Sequence, residues 1–299
     1  FKYYINFYSD ANTPHFITLH SASRKIPNVL KSNKILKEKL KEYNLPKVEF
    51  FDFNTTENIN LNGYMIKPVD FDPNKTYPVL MYVYNGPGIN TVNNSWGGSR
   101  TMWWHYLTQQ GYIVVSVDGR GTGYRGKAFK DATYKQLGKY ETEDQIEAAK
   151  YLGGLGYIDK DRIGIFGWSY GGYMTSLCMT KGADTFKAGI AVAPVTNWRY
   201  YDNIYTERFM QKPQDNGENY DINSPINHVD KLKGAYLLVH GSADDNVHYQ
   251  NTMEMVSALV NANKQFDLFI YPNKNHGIRG GNTRLHLYNK MTKFLNDNL

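Results

Sequence analysis

Gly167-Trp168-Ser169-Tyr170-Gly171 sets a serine between glycines two residues away on either side. Apolar Ile163, Ile165 and Phe166 precede it, as in a short buried strand, and residues 173–179 follow without a helix breaker. A serine at so sharp a strand-to-helix turn sits in strained backbone, and flanking glycines let the chain approach itself closely. Its hydroxyl then stands clear of the sheet, beside the Tyr170 amide and the start of the next helix. A nucleophile needs such a placement. It also needs a base to take its proton and an acid to fix the tautomer of that base. Carboxylates follow at Asp244 and Asp245, in His240-Gly-Ser-Ala-Asp-Asp-Asn-Val-His, and a histidine at His276, in Asn273-Lys-Asn-His-Gly.

Each of these residues also has an ordinary reading. Asp245 could cap the helix that begins near Tyr249, and an isolated His276 would be a loop histidine. Spacing does not choose between Asp244 and Asp245. Of the rival bases, His248 lies too few residues past the acid to reach across from the opposite loop, and His286 falls inside the last helix. A developing oxyanion needs two donors. The Tyr170 amide is one; the other comes from the loop Tyr84-Asn-Gly-Pro-Gly, where Pro87 has no N–H, leaving the Tyr84 hydroxyl or the Gly86 amide.

The elements that must hold these groups change character along the chain. Residues 2–7 and 15–20 read as strands about a polar turn, residues 28–43 as a helix capped by Asn28, with Val29, Leu36, Leu40 and Tyr43 on one side. Residues 48–53 and 59–66 alternate as an antiparallel pair. From Tyr77 onward, wholly apolar strands (79–84, 112–118, 163–166, 188–192, 235–240, 266–271) alternate with helices (99–110, 142–155, the segment after Ser169, 249–262, 283–295). Strands buried on both faces and separated by helices form a mainly parallel twisted sheet, with chemistry at the strands' carboxyl ends. Ser169, the Asp244–Asp245 pair and His276 each follow a different strand, in the chain order of the α/β-hydrolase fold. Residues 193–234 read as largely irregular.

With 299 residues the chain can bury a full α/β core, and 41% hydrophobic and 21% charged residues are ordinary globular values. The net charge of +6 owes much to Lys31, Lys34, Lys37, Lys39 and Lys41, which alternate with Glu38 and Glu42 in one expected helix. That is a solvated face, and no nucleic-acid-binding motif accompanies it. The single cysteine, Cys178, excludes an internal disulfide and reads as a small core residue. Apolar runs such as 113–117 fall far short of the ~20 residues of a membrane span. The opening residues look like the middle of a strand rather than a signal peptide, as if the chain began within a longer protein.

Five segments together resemble the S9 prolyl oligopeptidase family, in the branch that releases N-terminal dipeptides. They are Val83-Tyr-Asn-Gly-Pro-Gly, Asp118-Gly-Arg-Gly-Thr-Gly, Gly167-Trp-Ser-Tyr-Gly-Gly, Ala193-Pro-Val-Thr-Asn-Trp-Arg-Tyr-Tyr-Asp-Asn-Ile-Tyr-Thr-Glu-Arg and the His240 segment. The resemblance implies Ser169 as nucleophile, Asp244 as acid, His276 as base, and Tyr84 and Tyr170 as the oxyanion donors. It implies a proline-sized pocket from Tyr170, Val195, Trp198, Tyr201, Tyr205 and Val247, with Asn246 holding the preceding carbonyl. Flat aromatic faces suit a pyrrolidine ring. The substrates so implied are peptides with proline or alanine second, cleaved without metal or cofactor; an endo-acting oligopeptidase or another esterase or peptidase of this fold is the alternative. The same resemblance makes residues 1–20 the last strands of a β-propeller, 21–47 a connector and helix, and 48–299 the catalytic domain. It further implies a homodimer in the full-length protein, a periplasmic, secreted or cell-surface location, and a bacterial type, since Ala188 stands where animal relatives have a disulfide cysteine. The acids that grip a substrate's amine belong to the propeller and lie outside this chain.

Overall fold

Aliphatic runs without polar interruption are satisfied only in a sheet covered on both faces. In the computed structural model, which describes residues 1–23 and 25–299, such runs form the middle of an eight-stranded sheet. A separate three-stranded antiparallel sheet comes first, from β1 (Tyr3–Asp10), β2 (Thr13–Ser21) and β3 (Asn28–Lys31), followed by helix α1 (Lys34–Lys41). The large sheet takes β4 (Val48–Asn54), β5 (Asn60–Ile66), β6 (Tyr77–Val83), β7 (Ile113–Asp118), β8 (Ile158–Trp168), β9 (Ala188–Val192), β10 (Ala235–Gly241) and β11 (Asp267–Tyr271). Its helices are α2 (Met102–Gln109), α3 (Lys127–Asp131), α4 (Tyr140–Gly153), α5 (Tyr170–Lys181), α6 (Asn203–Met210), α7 (Pro213–Ile222), α8 (Gln250–Asn261) and α9 (Thr283–Asn298).

The strand order is β4-β5-β7-β6-β8-β9-β10-β11, antiparallel at β4–β5 and β5–β7 and parallel elsewhere. This is the α/β-hydrolase fold. Alternation along each strand splits the core in two. Val79, Met81 and Val83 pack on the side of Ala149, Leu152 and Leu177, while Leu80 turns to Trp104, Leu107, Leu287 and Met291. Cys178 is fully buried in the first of these layers. Among the described residues no helix is long and apolar enough to cross a membrane.

Two expectations are corrected. The helix expected from Asn28 starts only at Lys34: residues 28–31 extend the small sheet instead, with Thr18 opposite Val29 and Leu19 opposite Asn28. The open edge of β2 offers backbone partners that outweigh a weak helix propensity. The chain then turns through Asn33, in the left-handed region at φ 51°, whose side-chain Nδ2 donates to the His15 carbonyl at 2.6 Å. No α1 residue is buried: of the apolar side expected for it, Leu36 and Tyr43 are exposed and Leu40 is half-buried. The stretch expected to be irregular holds α6 and α7; Pro213 opens α7 and Asn216 kinks it, masking the helical period.

Candidate active site

Ser169 directly follows β8 and caps α5 with φ 61° and ψ −120°, backbone that a side-chain-bearing residue adopts only under strain. The glycines explain how it is held. A methyl at Gly167 would run into the Gly171 carbonyl, and one at Gly171 into the Val83 carbonyl of the neighbouring strand. The Ser169 amide donates to the Val192 carbonyl at 2.9 Å, and its carbonyl accepts from the Tyr173 amide at 3.0 Å. β6, β8 and β9 thus grip the turn together at the N-terminus of α5.

Asp244 and His276 come from the ends of β10 and β11, whose loops are stitched together. Gly241 lies so close to the Lys274 carbonyl that no side chain would fit between. Ser242 N–H donates to the Tyr271 carbonyl and Ala243 N–H to that of Lys274, each at 3.0 Å. The Asp244 carboxylate, fully shielded from solvent, meets His276 Nδ1 through Oδ2 at 2.8 Å. Its Oδ1 accepts from the Asn246 and Val247 amides, each at 3.0 Å. Burial alone would raise the Asp244 pKa, but the hydrogen bonds from His240 and His276 and the Asn246 amide outweigh it and hold the carboxyl well below the usual range. An ionised, immobile acceptor at Nδ1 leaves Nε2 of His276 free to take a proton.

Trp168, beside the serine, donates its indole N–H to the His276 carbonyl at 3.1 Å, tying the histidine's loop to the turn. The Asp–His half is thus closed by a hydrogen bond and the serine is joined to it through its neighbour; among the described residues no hydrogen bond reaches the Ser169 hydroxyl itself. Asp245 is exposed and does not share in this pair. His286 is engaged elsewhere, with Nδ1 2.8 Å from the Tyr271 hydroxyl, and His248 lies at the site's outer rim.

Tyr84 follows β6, and the pairing of Val83 with Gly167 sets it beside Trp168. Its ring centroid is 6.0 Å from that of Tyr170, and Gly86 makes room, since a methyl there would stand 2.7 Å from the Tyr84 ring. Burial raises the Tyr84 pKa, so its hydroxyl keeps the proton and remains a donor. The Asp118-Gly-Arg-Gly segment fixes this loop. Asp118 accepts from Asn90, from the amides of Thr91 and Val92 and from the Thr91 hydroxyl. Asn85 bridges the Gly119 amide and the Arg120 carbonyl, and Arg120 is clamped by Asp144.

Trp198 is the hub of the aromatic cluster beside the turn. It packs on Tyr170 at 5.4 Å, Tyr173 at 5.2 Å, Tyr201 at 5.8 Å and, stacked, Tyr205 at 5.7 Å. Tyr170, Val195, Trp198 and Val247 are buried, Tyr201 and Tyr205 half-buried, so the outer tyrosines present faces to a groove. The Tyr201 hydroxyl donates to Asn246 Oδ1 at 2.7 Å, joining the two loops over a cavity of about 810 Å³ that reaches His276.

Two buried residues here were not singled out from the sequence. His240 places Nε2 3.1 Å from Asp244 Oδ2 and 2.9 Å from the Val247 carbonyl, and Nδ1 2.7 Å from the Thr252 hydroxyl. Two acceptors at Nε2 assign the proton there, so His240 and His276 donate to one carboxylate oxygen. Its place four residues before the acid, at a strand's end, was the available signal. Glu141, fully buried, accepts the Tyr170 hydroxyl proton at 2.7 Å and the Gly138 amide at 3.0 Å; burial pushes its carboxyl up to about 7. Nothing in its local sequence marks it.

Residues 100–299 match the peptidase S9 prolyl oligopeptidase family. The chain is 44% identical over 271 residues to mouse prolyl endopeptidase FAP, covering 89% of the chain and 35% of that protein. It is 40% identical over 300 residues to cat dipeptidyl peptidase 4, covering 98% and 38%. It superimposes on the crystal structure of Porphyromonas gingivalis dipeptidyl peptidase 4 with a TM-score of 0.96 at 49% identity, over all of this chain and 42% of that one. The chain thus spans well under half the length of these relatives. On the family match and these identities, the chain belongs to the prolyl oligopeptidase family.

Proposed function

We propose that this chain is the catalytic part of a serine exopeptidase that releases N-terminal Xaa-Pro or Xaa-Ala dipeptides. The Asp244–His276 hydrogen bond, beyond the carboxyl ends of the same parallel strands as the strained Ser169 turn, is the observation that carries this reading. Ser169 Oγ attacks the scissile carbonyl while His276 Nε2 takes its proton; Asp244 keeps the Nδ1–H tautomer and stabilises the imidazolium. The Tyr170 amide and Tyr84 hydroxyl donate to the tetrahedral oxyanion, where preorganised dipoles act most strongly. As the C–N bond breaks, His276 returns the proton to the departing amine, leaving an acyl-enzyme on Ser169. Water, activated by the same imidazole, then releases the dipeptide.

The ring of the second residue packs among Tyr170, Val195, Trp198, Tyr201, Tyr205 and Val247, a surface that asks for no N–H, and Asn246 holds the preceding carbonyl. In this reading residues 1–20 are the end of a propeller whose remainder anchors the free amine, and the full-length protein is a homodimer. An endo-acting peptidase is the second reading, favoured by the identity to a protein named prolyl endopeptidase. Hydrolysis by the full-length protein of a Gly-Pro anilide with free amine, compared with its N-blocked form, decides. Strong preference for the free amine is expected; equal turnover would favour the endopeptidase.

A further inference from the structure

Strand order divides the ground around Ser169. The loops after β9 and β10, which carry Trp198, Tyr201 and Asn246, lie on one side of β8, and the loop after β6 lies on the other. On that other side a cavity of about 920 Å³ opens directly against Tyr84 and Trp168. Its formally charged lining groups are Arg100, Arg279 and Arg284, with no carboxylate among them. The arginine ion pairs of the described residues are made by Arg120, Arg162 and Arg199, so these three have no acidic partner there. Arg284 lies 4.7 Å above the Trp168 ring and 3.4 Å from the Tyr288 hydroxyl. Tyr82, Tyr84 and Tyr288 share the wall with them, so it is aromatic and cationic. The opposite cavity, reaching His276, has Asp202 and Asp245 on its wall, with Arg199 there paired to Asp221.

A peptide crossing Ser169 with its second residue among the aromatic rings has its departing part on the arginine side. In the peptidase reading the departing segment therefore lies along the Tyr84–Trp168 cavity; we propose that Arg100, Arg279 and Arg284 on its wall select departing segments that carry a carboxylate. This rests on the peptidase reading above. A carboxylate suits the site because planar guanidinium groups pair with it through two parallel hydrogen bonds, and one already stacked on an indole loses little freedom on pairing. The carboxylate can be an acidic side chain or the α-carboxylate of a short peptide.

The test uses the full-length protein and kcat/KM for Gly-Pro-Ala-Glu-NH2 against Gly-Pro-Ala-Gln-NH2, and for Gly-Pro-Ala as free acid against its amide. At low salt, at least one carboxylate-bearing member should be cleaved about tenfold faster than its neutral partner. The pair that shows it identifies which carboxylate is read. The advantage should shrink with added salt, because exposed charges are screened beyond about 10 Å at 0.1 M, and fall toward unity in R100Q/R279Q/R284Q. The salt series on the unmodified protein needs no variant to fold. Ratios near one for both pairs at low salt would overturn the proposal, as they would if acids from outside this chain already occupy the arginines; so would a ratio that survives the triple substitution. Failure of the peptidase reading shows separately, as absent turnover of Gly-Pro anilide, which carries no carboxylate.

Discussion

Asp244→Asn exchanges one oxygen for an NH2 group and leaves the side chain's shape intact. The carboxylate meets four donors: the Asn246 and Val247 amides at Oδ1, and His240 and His276 at Oδ2. Asparagine has one oxygen, and the two immobile backbone amides claim it. Its NH2 then faces both histidines. His276 can accept from that NH2 only with Nδ1 bare and the proton on Nε2, the tautomer that cannot take a proton from Ser169. A wrong-tautomer substitution of this kind lowers kcat by about 10⁴, roughly 5 kcal/mol in the barrier, with little change in KM. The assay is steady-state hydrolysis of Gly-Pro anilide by the full-length variant, with folding checked by circular dichroism. Asp245→Asn, whose side chain is exposed and apart from the pair, should cost far less. Equal losses in the two variants would refute this account of the acid. The lowered Asp244 pKa also gives a sign to acid stability. Its contribution is complete above the unfolded value of 3.8 and is lost as pH falls toward the folded value, so D244N should flatten the acid limb of a melting-temperature profile.

Ser169→Ala should lower turnover by about 10⁶ and abolish labelling by a fluorophosphonate; labelling at Ser242 or Ser176 instead would displace the nucleophile. Tyr84→Phe should reduce kcat by about 10²–10³ with KM nearly constant, as for a bond made mainly in the transition state. A loss confined to KM would argue for a purely steric role. Glu141, with its carboxyl raised to about 7 by burial, contributes stability that is complete below its unfolded value of 4.5 and is lost as pH rises through 7. Glu141→Gln should therefore lessen the decline in melting temperature between about pH 5 and 8; an unchanged slope would mean another group causes it.

The Ser169 turn and the Ser–Asp–His order were legible because each rests on local chemistry: glycines beside a serine, and chemical groups just past apolar strands. The same holds for β4–β11, whose periods are unmistakable. The choice between Asp244 and Asp245 was not legible from spacing, since adjacent residues point opposite ways and only the path of the loop after β10 decides which meets His276. β3 was hidden because residues 28–31 take their conformation from the edge of β2, not from their own propensity. His240 and Glu141 escaped because their roles consist of partners that tertiary structure alone brings to them, and a buried polar group shows its purpose only when those partners are known.

The backbone of Ser169 has a consequence for selection. A residue held at φ 61° and ψ −120° costs the fold on the order of 1–3 kcal/mol, and glycine would relieve most of that. Ser169→Gly is therefore expected to raise the melting temperature while abolishing turnover. A library of this protein sorted for heat resistance alone would therefore admit replacement of the proposed nucleophile, and so enrich molecules that are sturdier and inert.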